Sequence, residues 1–496
     1  MDEVAIGDGR LTIGQIRAVA GGARVVLEQS ARNRISASRT VIDTALASGR
    51  AVYGLNTGVG HQKDVRLNEE QIRQNQTMLL MTHAGGFGPP AGVEHVRAAM
   101  MVRLNGLSRG GSGVSPAVAE VLVAMLNAGV HPVVPSTGSV GSGDLGQLAA
   151  IGLVAIGQGR AEHAGEVLGG AEALRRAGIE PLVLAAKDGL ALMSSNAMSI
   201  GHGAHVIHQA IRLGRLADLA AVVSLEAIGG NPEAMLPVVA TAKPYPGQHE
   251  VCRSVTDALH GSALLEPGGA RSVQDPISFR VVPQVHGAYR DAVASTRDAI
   301  EIEVNAMSDN PLVSIADQSI VHNGNFHPMV MALSFDAVRP AVAHVGKLSE
   351  RRMSHLWDAF FERLAGDGGP PSADHGPPEF VGMALRYPAA EVCAELRQLA
   401  TPATLDVPAL ESNGTEDHAT AAPLAVRTTE RALGLLERVV VVELLLARDV
   451  LSITKPAPRL GTAAHEAVAG INDALAGRAS ADAYEAVLGH LRDSFG

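Results

Sequence analysis

The sequence predicts an all-α fold: a long central helix bundle with a smaller N-terminal lobe. Three observations predict it. Apolar residues recur at steps of three and four, as in Arg212–Ile228, where Leu213, Leu216, Ala220, Val223 and Ala227 share one face. Leu433, Leu436, Val440 and Leu444 repeat that spacing. Alternating β-branched runs are few, no strand–helix–strand alternation is visible, and glycine- and proline-rich breaks separate the helical stretches.

Taken in order, residues 1–190 read as the N-terminal lobe and 191–496 as the bundle domain. Breaks in the lobe fall at 54–60, 84–92, 108–115 and 135–146. Extended helices are expected over roughly 190–230, 285–305, 330–364 and 420–452, lengths that suit a central bundle. Further breaks lie at 229–248, 266–283, 308–328 and 366–379; the last reads as an exposed flexible loop. The most apolar stretch, Val439–Leu446, is flanked by Arg438 and Arg448 and interrupted by Glu443. It is too short to cross a bilayer and reads as a buried helix. Rigid helices that present irregular polar loops are a common way to build an active site.

Composition narrows the function classes. The 496 residues suffice for a large core, and 46% hydrophobic with 18% charged residues is ordinary for a globular protein. A net charge of -11 gives no reason to expect nucleic acid or an anionic membrane as partner. Two cysteines, Cys252 and Cys393, form no disulfide framework and suit a reducing cytoplasm. The N-terminal MDEVAIGDGR does not read as a signal peptide. No Gly-Lys-Ser/Thr follows the glycine-rich turns, so a P-loop is not supported and no nucleotide is expected. His202, His205 and His208 lack a matching acid and read as a polar or packed helix face, so no metal is expected. Ser139 and Ser142 lack the strand-to-helix context of a hydrolase nucleophile.

The loops carry the chemistry. Tyr53-Gly54-Leu55-Asn56-Thr57-Gly58-Val59-Gly60, Thr82-His83-Ala84-Gly85-Gly86-Phe87-Gly88 and Gly138-Ser139-Val140-Gly141-Ser142-Gly143-Asp144-Leu145 lie in the first lobe. Gln274-Asp275-Pro276-Ile277-Ser278-Phe279-Arg280, Ser308-Asp309-Asn310-Pro311-Leu312, Asn323-Gly324-Asn325-Phe326-His327 and Glu416-Asp417-His418 follow. In this order and spacing the set resembles the aromatic amino acid lyase family of histidine, phenylalanine and tyrosine ammonia-lyases and aminomutases. Its motifs are closest to those of histidine ammonia-lyase.

The resemblance implies a histidine ammonia-lyase-like fold and a cytoplasmic homotetramer whose active sites draw loops from different subunits. It implies a small-molecule aromatic L-amino acid substrate and carbon–nitrogen lyase or aminomutase chemistry. It also implies a self-derived electrophile, methylidene-imidazolone (MIO), from Gly141, Ser142 and Gly143. The Gly143 amide nitrogen would attack the Gly141 carbonyl, which a glycine without Cβ permits, and Ser142 would lose its hydroxyl. Tyr53 would be the base that takes the β-proton. A phenol titrates near 10, so this role calls for nearby positive charge or a helix N-terminus. Arg280 would clamp the α-carboxylate with two parallel hydrogen bonds, or serve a structural ion pair. His83 and Glu416 would read a polar ring, favouring histidine or tyrosine over phenylalanine. Ser194, Gln274 and Phe326 would also line the substrate, and Asn310 would hold the electrophile's oxygen or cap a helix.

The sequence departs from the family at this same site. The loop at 141–143 is one residue short and reads Gly-Ser-Gly where the family reads Ala-Ser-Gly. Ile277 stands where a second tyrosine is usual, and Tyr289 is no obvious replacement. Ser194 stands where an asparagine is usual, with Asn196 two residues on, and Gly414-Thr415 replaces Asn-Gln. Two alternatives therefore stay open: an MIO-free relative catalysing a different elimination or proton transfer, and a non-catalytic binding relative.

Overall fold

The computed structural model describes residues 2–366, 380–405, 416–476, 478 and 480–495. The expected flexible loop, apart from Gly366, and the Gly414-Thr415 substitution lie outside the described residues. The expected long helices are Ala197–Ile228, Val282–Val304, Met329–Gly366 and Ala422–Ser452. No helix among the described residues is long and apolar enough to cross a membrane.

Among the described residues strands are few and short, grouped in four small sheets. One corrects the sequence reading. Glu3–Ile6 pairs in parallel with Arg24–Leu27 across the helix Ile13–Ala20, a small strand–helix–strand unit. Its four-residue strands are too short for a period-two pattern to register.

Contacts divide the chain into two units, each discontinuous in sequence: residues 1–207 with 296–335 and 403–427, and residues 208–295 with 336–402 and 428–496. In the first, the helix Val93–Ser108 is buried from Val96 onward. Its arginines bond within the unit. Arg97 donates to the carbonyls of Val19 and Leu126, and Arg103 grips Asp309 through two nitrogens at 2.8 and 3.1 Å. Gly201 lets the Ala197–Ile228 helix approach it closely, because a Cβ there would lie 2.9 Å from the backbone of Ala98 and Ala99. A separate cluster of Val41, Ile42, Val52, Leu55, Val313 and Ile320 carries the segment that contains Tyr53.

In the second unit, the stretch Val439–Ala447 is buried throughout. Its acid is paired: Glu443 accepts from Arg352 at 2.6 and 2.9 Å and from the Ser224 hydroxyl at 2.7 Å. Arg352 also donates to the Ser278 carbonyl, tying the short helix Ile277–Arg280 to this buried pair. Removing one partner of such a pair costs about 3–5 kcal/mol.

Candidate active site

The Tyr53 loop is built by its own polar side chains. The Asn56 amide accepts from Val52 N–H at 2.8 Å and donates to the Arg50 carbonyl at 2.7 Å, closing the turn. Gly54 is at φ +62°, and a Cβ there would collide with Leu190. Tyr53 is half-buried, lies edge-on to His322, and its hydroxyl accepts from Gly60 N–H at 3.0 Å. Burial pushes its phenol above the ordinary value; the Glu416 carboxylate pushes the same way, and only the Gly60 amide opposes them. The positive surroundings expected from the sequence are not what the described residues of this unit supply.

The loop after Gly138 is a tight turn with both flanking glycines left-handed, Gly141 at φ +90° and Gly143 at φ +86°. This conformation has no room for an alanine at position 141. An added Cβ would lie 2.2 Å from Thr420 Oγ1 and 2.9 Å from Ala422 N. Ser139 Oγ braces the turn from within, accepting from Gly141 N–H and donating to the Gly143 carbonyl. Asp144, fully buried, fixes its far end by accepting from the backbone N–H and hydroxyl of Ser199. Burial raises its carboxyl, opposed by these donors.

Residues 418–421 strap the turn from outside. The Ser142 hydroxyl donates to the His418 carbonyl at 2.9 Å, Thr420 Oγ1 donates to the Gly141 carbonyl at 2.8 Å, and Ala421 N–H donates to the Val140 carbonyl at 2.9 Å. On the remaining side, Asn196 Oδ1 accepts from Gly143 N–H at 3.1 Å, and its Nδ2 donates to the Phe326 carbonyl. Asn196 thus reaches the loop from two residues beyond the expected position. The helix Asp188–Met193 ends there, and the following turn swings Asn196 inward.

The other expected residues of the first unit fall as follows. Ser194 Oγ accepts from Asn310 N–H at 3.4 Å, and Asn310 Oδ1 accepts from Asn323 N–H, so Asn310 braces a loop and does not cap a helix. Phe326 is half-buried and stacks on His327. His327 Nε2 and His418 Nδ1 lie 3.0 Å apart, so one of the two rings carries the shared proton. Burial and the neighbouring His418 hold His327 below its ordinary value. His83 ends the helix Glu69–His83 with Nδ1 donating to the Leu79 carbonyl at 2.8 Å. Glu416 is exposed.

Gln274 and Arg280 belong to the second unit. Arg280 Nε donates to the Asp275 carbonyl at 2.8 Å, which fixes the plane of the guanidinium, while Gln274 is exposed. Beside them Val273 is 93% and Ile277 63% exposed, an unusual outlay of apolar surface in a polar segment. Tyr289 is buried with its hydroxyl on the Ala210 carbonyl, and burial raises its phenol steeply. It is a packing residue and no stand-in for the tyrosine missing at 277.

Sequence reasoning missed Thr420 altogether and left Asn196 undecided. The only signal for Thr420 was its nearness to Glu416-Asp417-His418. Chemically, the first unit gathers a phenol, a carboxylate, an imidazole pair and a serine-bearing turn gripped at its peptide groups.

Comparison with known proteins agrees with this content. A family model described as aromatic amino acid lyase matches residues 11–473. Histidine ammonia-lyase of Gloeobacter violaceus is 40% identical over 452 residues, 89% of this chain and 86% of the relative. That of Symbiobacterium thermophilum is 38% identical over 486 residues, 96% and 93% of the two chains. Among solved structures, the ergothioneine-degrading ergothionase of Treponema denticola, in complex with desmethyl-ergothioneine sulfonic acid, superposes with a TM-score of 0.89 at 26% identity over 99% of each chain. Phenylalanine aminomutase of Pantoea agglomerans gives a TM-score of 0.88 at 26% identity over 98% of each. Motifs, helical architecture and these likenesses converge: the chain belongs to the aromatic amino acid lyase family, a family of enzymes.

Proposed function

We propose that this enzyme is a carbon–nitrogen lyase or aminomutase acting on an aromatic L-amino acid, with histidine or tyrosine favoured over phenylalanine. One observation carries the reading. The segment that begins at Glu416, which acts on the Tyr53 phenol, is also the segment that straps the Gly141–Gly143 turn. Base, ring-recognition carboxylate and serine turn are therefore parts of one constellation.

The turn suits the family's self-derived MIO. The attacking residue is a glycine, the Gly141 carbonyl already accepts a donor, and the Gly143 N–H already points to an acceptor. When formed, the group supplies a methylene electrophile that no standard side chain offers. This chain's own residues do the rest. Arg280, oriented through its Nε, receives the substrate carboxylate. His83 Nε2 and Glu416 face the substrate ring. Tyr53 takes the β-proton, for which its phenol must first ionise. Burial and Glu416 oppose that, so the compensating cation comes with the substrate, whose α-ammonium is positive, or from another subunit. A homotetramer with composite sites, in which the exposed Val273–Ile277 segment meets a second copy, accords with this need.

Ammonia release from L-histidine, L-tyrosine and L-phenylalanine tests the reading. Turnover of histidine or tyrosine above phenylalanine is expected; no turnover of any of them contradicts it. A second reading keeps the turn uncyclised and assigns Tyr53 and Arg280 to elimination of a better leaving group than ammonium. It is favoured by the shortened loop, in which the peptide groups of both Gly141 and Gly143 are engaged as an open turn, and by the likeness to the ergothioneine-degrading enzyme. Activity that survives Ser142→Ala but not Tyr53→Phe would establish it.

A further inference from the structure

We infer that Thr420, assisted by Asn196, drives the ring closure of Gly141-Ser142-Gly143; the inference rests on the electrophile reading above. Both side chains have only one possible polarity. Thr420 is fully buried, and its Oγ1 accepts from Ala422 N–H at 3.2 Å, which leaves its hydroxyl proton to the Gly141 carbonyl at 2.8 Å. Asn196, also fully buried, has its NH₂ committed to the Phe326 carbonyl, so its Oδ1 must be the group that faces Gly143 N–H. The two reacting peptide groups are thus held between an oriented donor and an oriented acceptor.

A third feature points the same way. Gly141 sits against the start of the helix Ala422–Ser452, as the closeness of its Cβ direction to the amides of Ala421 and Ala422 shows. A helix N-terminus stabilises negative charge.

The closure then runs as follows. The Gly143 nitrogen forms a bond to the Gly141 carbonyl carbon, and negative charge develops on that carbonyl oxygen. Thr420 Oγ1–H stabilises this charge as an oxyanion-hole donor does, and the adjacent helix N-terminus adds a favourable dipole. Asn196 Oδ1 polarises the N–H whose proton transfers to the oxygen. The oxygen leaves as water as the Ser142 nitrogen gives up its proton and a C=N bond forms. Ser142 then loses its Cα proton and its hydroxyl as a second water, leaving Cα=Cβ. No oxidant or co-reactant is needed. The shortened loop fits this account: without the usual alanine, Gly141 turns left-handed and its carbonyl reaches Thr420, a contact that a Cβ at 141 would block.

The test is a time course of intact mass on the full-length chain made by cell-free translation. Wild type and Thr420→Ser, which keeps the hydroxyl, should become two waters lighter. Thr420→Val should do so about 10²–10³-fold more slowly, the usual effect of losing one oxyanion donor. Thr420→Ala, which adds no bulk, is the second variant, and far-UV circular dichroism against Ser142→Ala checks folding of each. Water loss at the wild-type rate in folded Thr420→Val or Thr420→Ala overturns the inference and leaves the electrophile reading intact. A wild-type chain that stays at full mass overturns both.

Discussion

The turn at Gly141–Gly143 and the segment Val273–Arg280 are both expected to touch substrate, yet they are built in opposite ways. The turn is closed on every side by its own chain: Ser139 from within, Asn196 from one flank, and the 418–421 strap from the other. The Val273–Arg280 segment is anchored from behind, through Arg352 on the Ser278 carbonyl and Arg280 on the Asp275 carbonyl, while Val273, Gln274 and Ile277 face solvent. The first region is finished within one chain. The second leaves the apolar Val273 and Ile277 exposed. Under the proposed function, a reactive group made from the backbone needs fixed geometry from the moment of folding, whereas the proposed carboxylate clamp is needed only in the proposed assembly.

The largest expected effect falls on the first unit, which holds both the turn and Tyr53. Tyr53→Phe should lower kcat by about 10²–10⁴-fold with KM little changed, the loss of a general base. Retained kcat would remove Tyr53 from the chemistry. On the unfinished side, Arg280→Ala should raise KM for the amino acid by roughly 10–100-fold, corresponding to about 1.5–3 kcal/mol for hydrogen bonds to a charged group. Substrates lacking the α-carboxylate should show no such penalty. Ile277→Asp should leave each chain folded but shift its elution toward smaller species if the exposed isoleucine makes the proposed subunit contact. Unchanged elution would contradict the contrast drawn between the regions.

Gly141→Ala should cost about 1–3 kcal/mol of stability through its left-handed backbone and the collision with Thr420, measured by urea unfolding against wild type. The smallest effect concerns pH. Glu416 holds the Tyr53 phenol up, so Glu416→Gln should lower it, and the base form should appear at lower pH. The ascending limb of kcat/KM should therefore move toward lower pH. A limb that stays in place would separate Glu416 from Tyr53.

Much of the fold was legible because long helices leave a periodic trace. The four expected stretches correspond to Ala197–Ile228, Val282–Val304, Met329–Gly366 and Ala422–Ser452. The strand pair Glu3–Ile6 and Arg24–Leu27 was not legible, because four residues carry too little pattern. A contiguous division at residue 190 has no means of representing contact units that return at 296–335 and 403–427.

At the site, residues that announce themselves by chemistry, such as Tyr53, Ser142 and Glu416, could be named from motifs. Thr420 could not. Its role depends on a hydrogen bond across 279 positions and on the left-handed turn at Ala421 beside it, neither of which leaves a local trace. Asn196 was visible as a residue type but not as a direction, since only the turn after Met193 aims it at Gly143. The direction of the Tyr53 shift was misjudged because sequence cannot show that burial and Glu416 act together on the phenol.

The central claim is that Gly141-Ser142-Gly143 becomes an electrophile despite its shortened loop. Intact mass of the purified wild-type chain, beside Ser142→Ala, tests it most directly. A wild-type chain two waters lighter than its sequence, with Ser142→Ala at its full calculated mass, is the predicted result. A wild-type chain at full mass would contradict the claim and leave the uncyclised elimination as the reading to pursue.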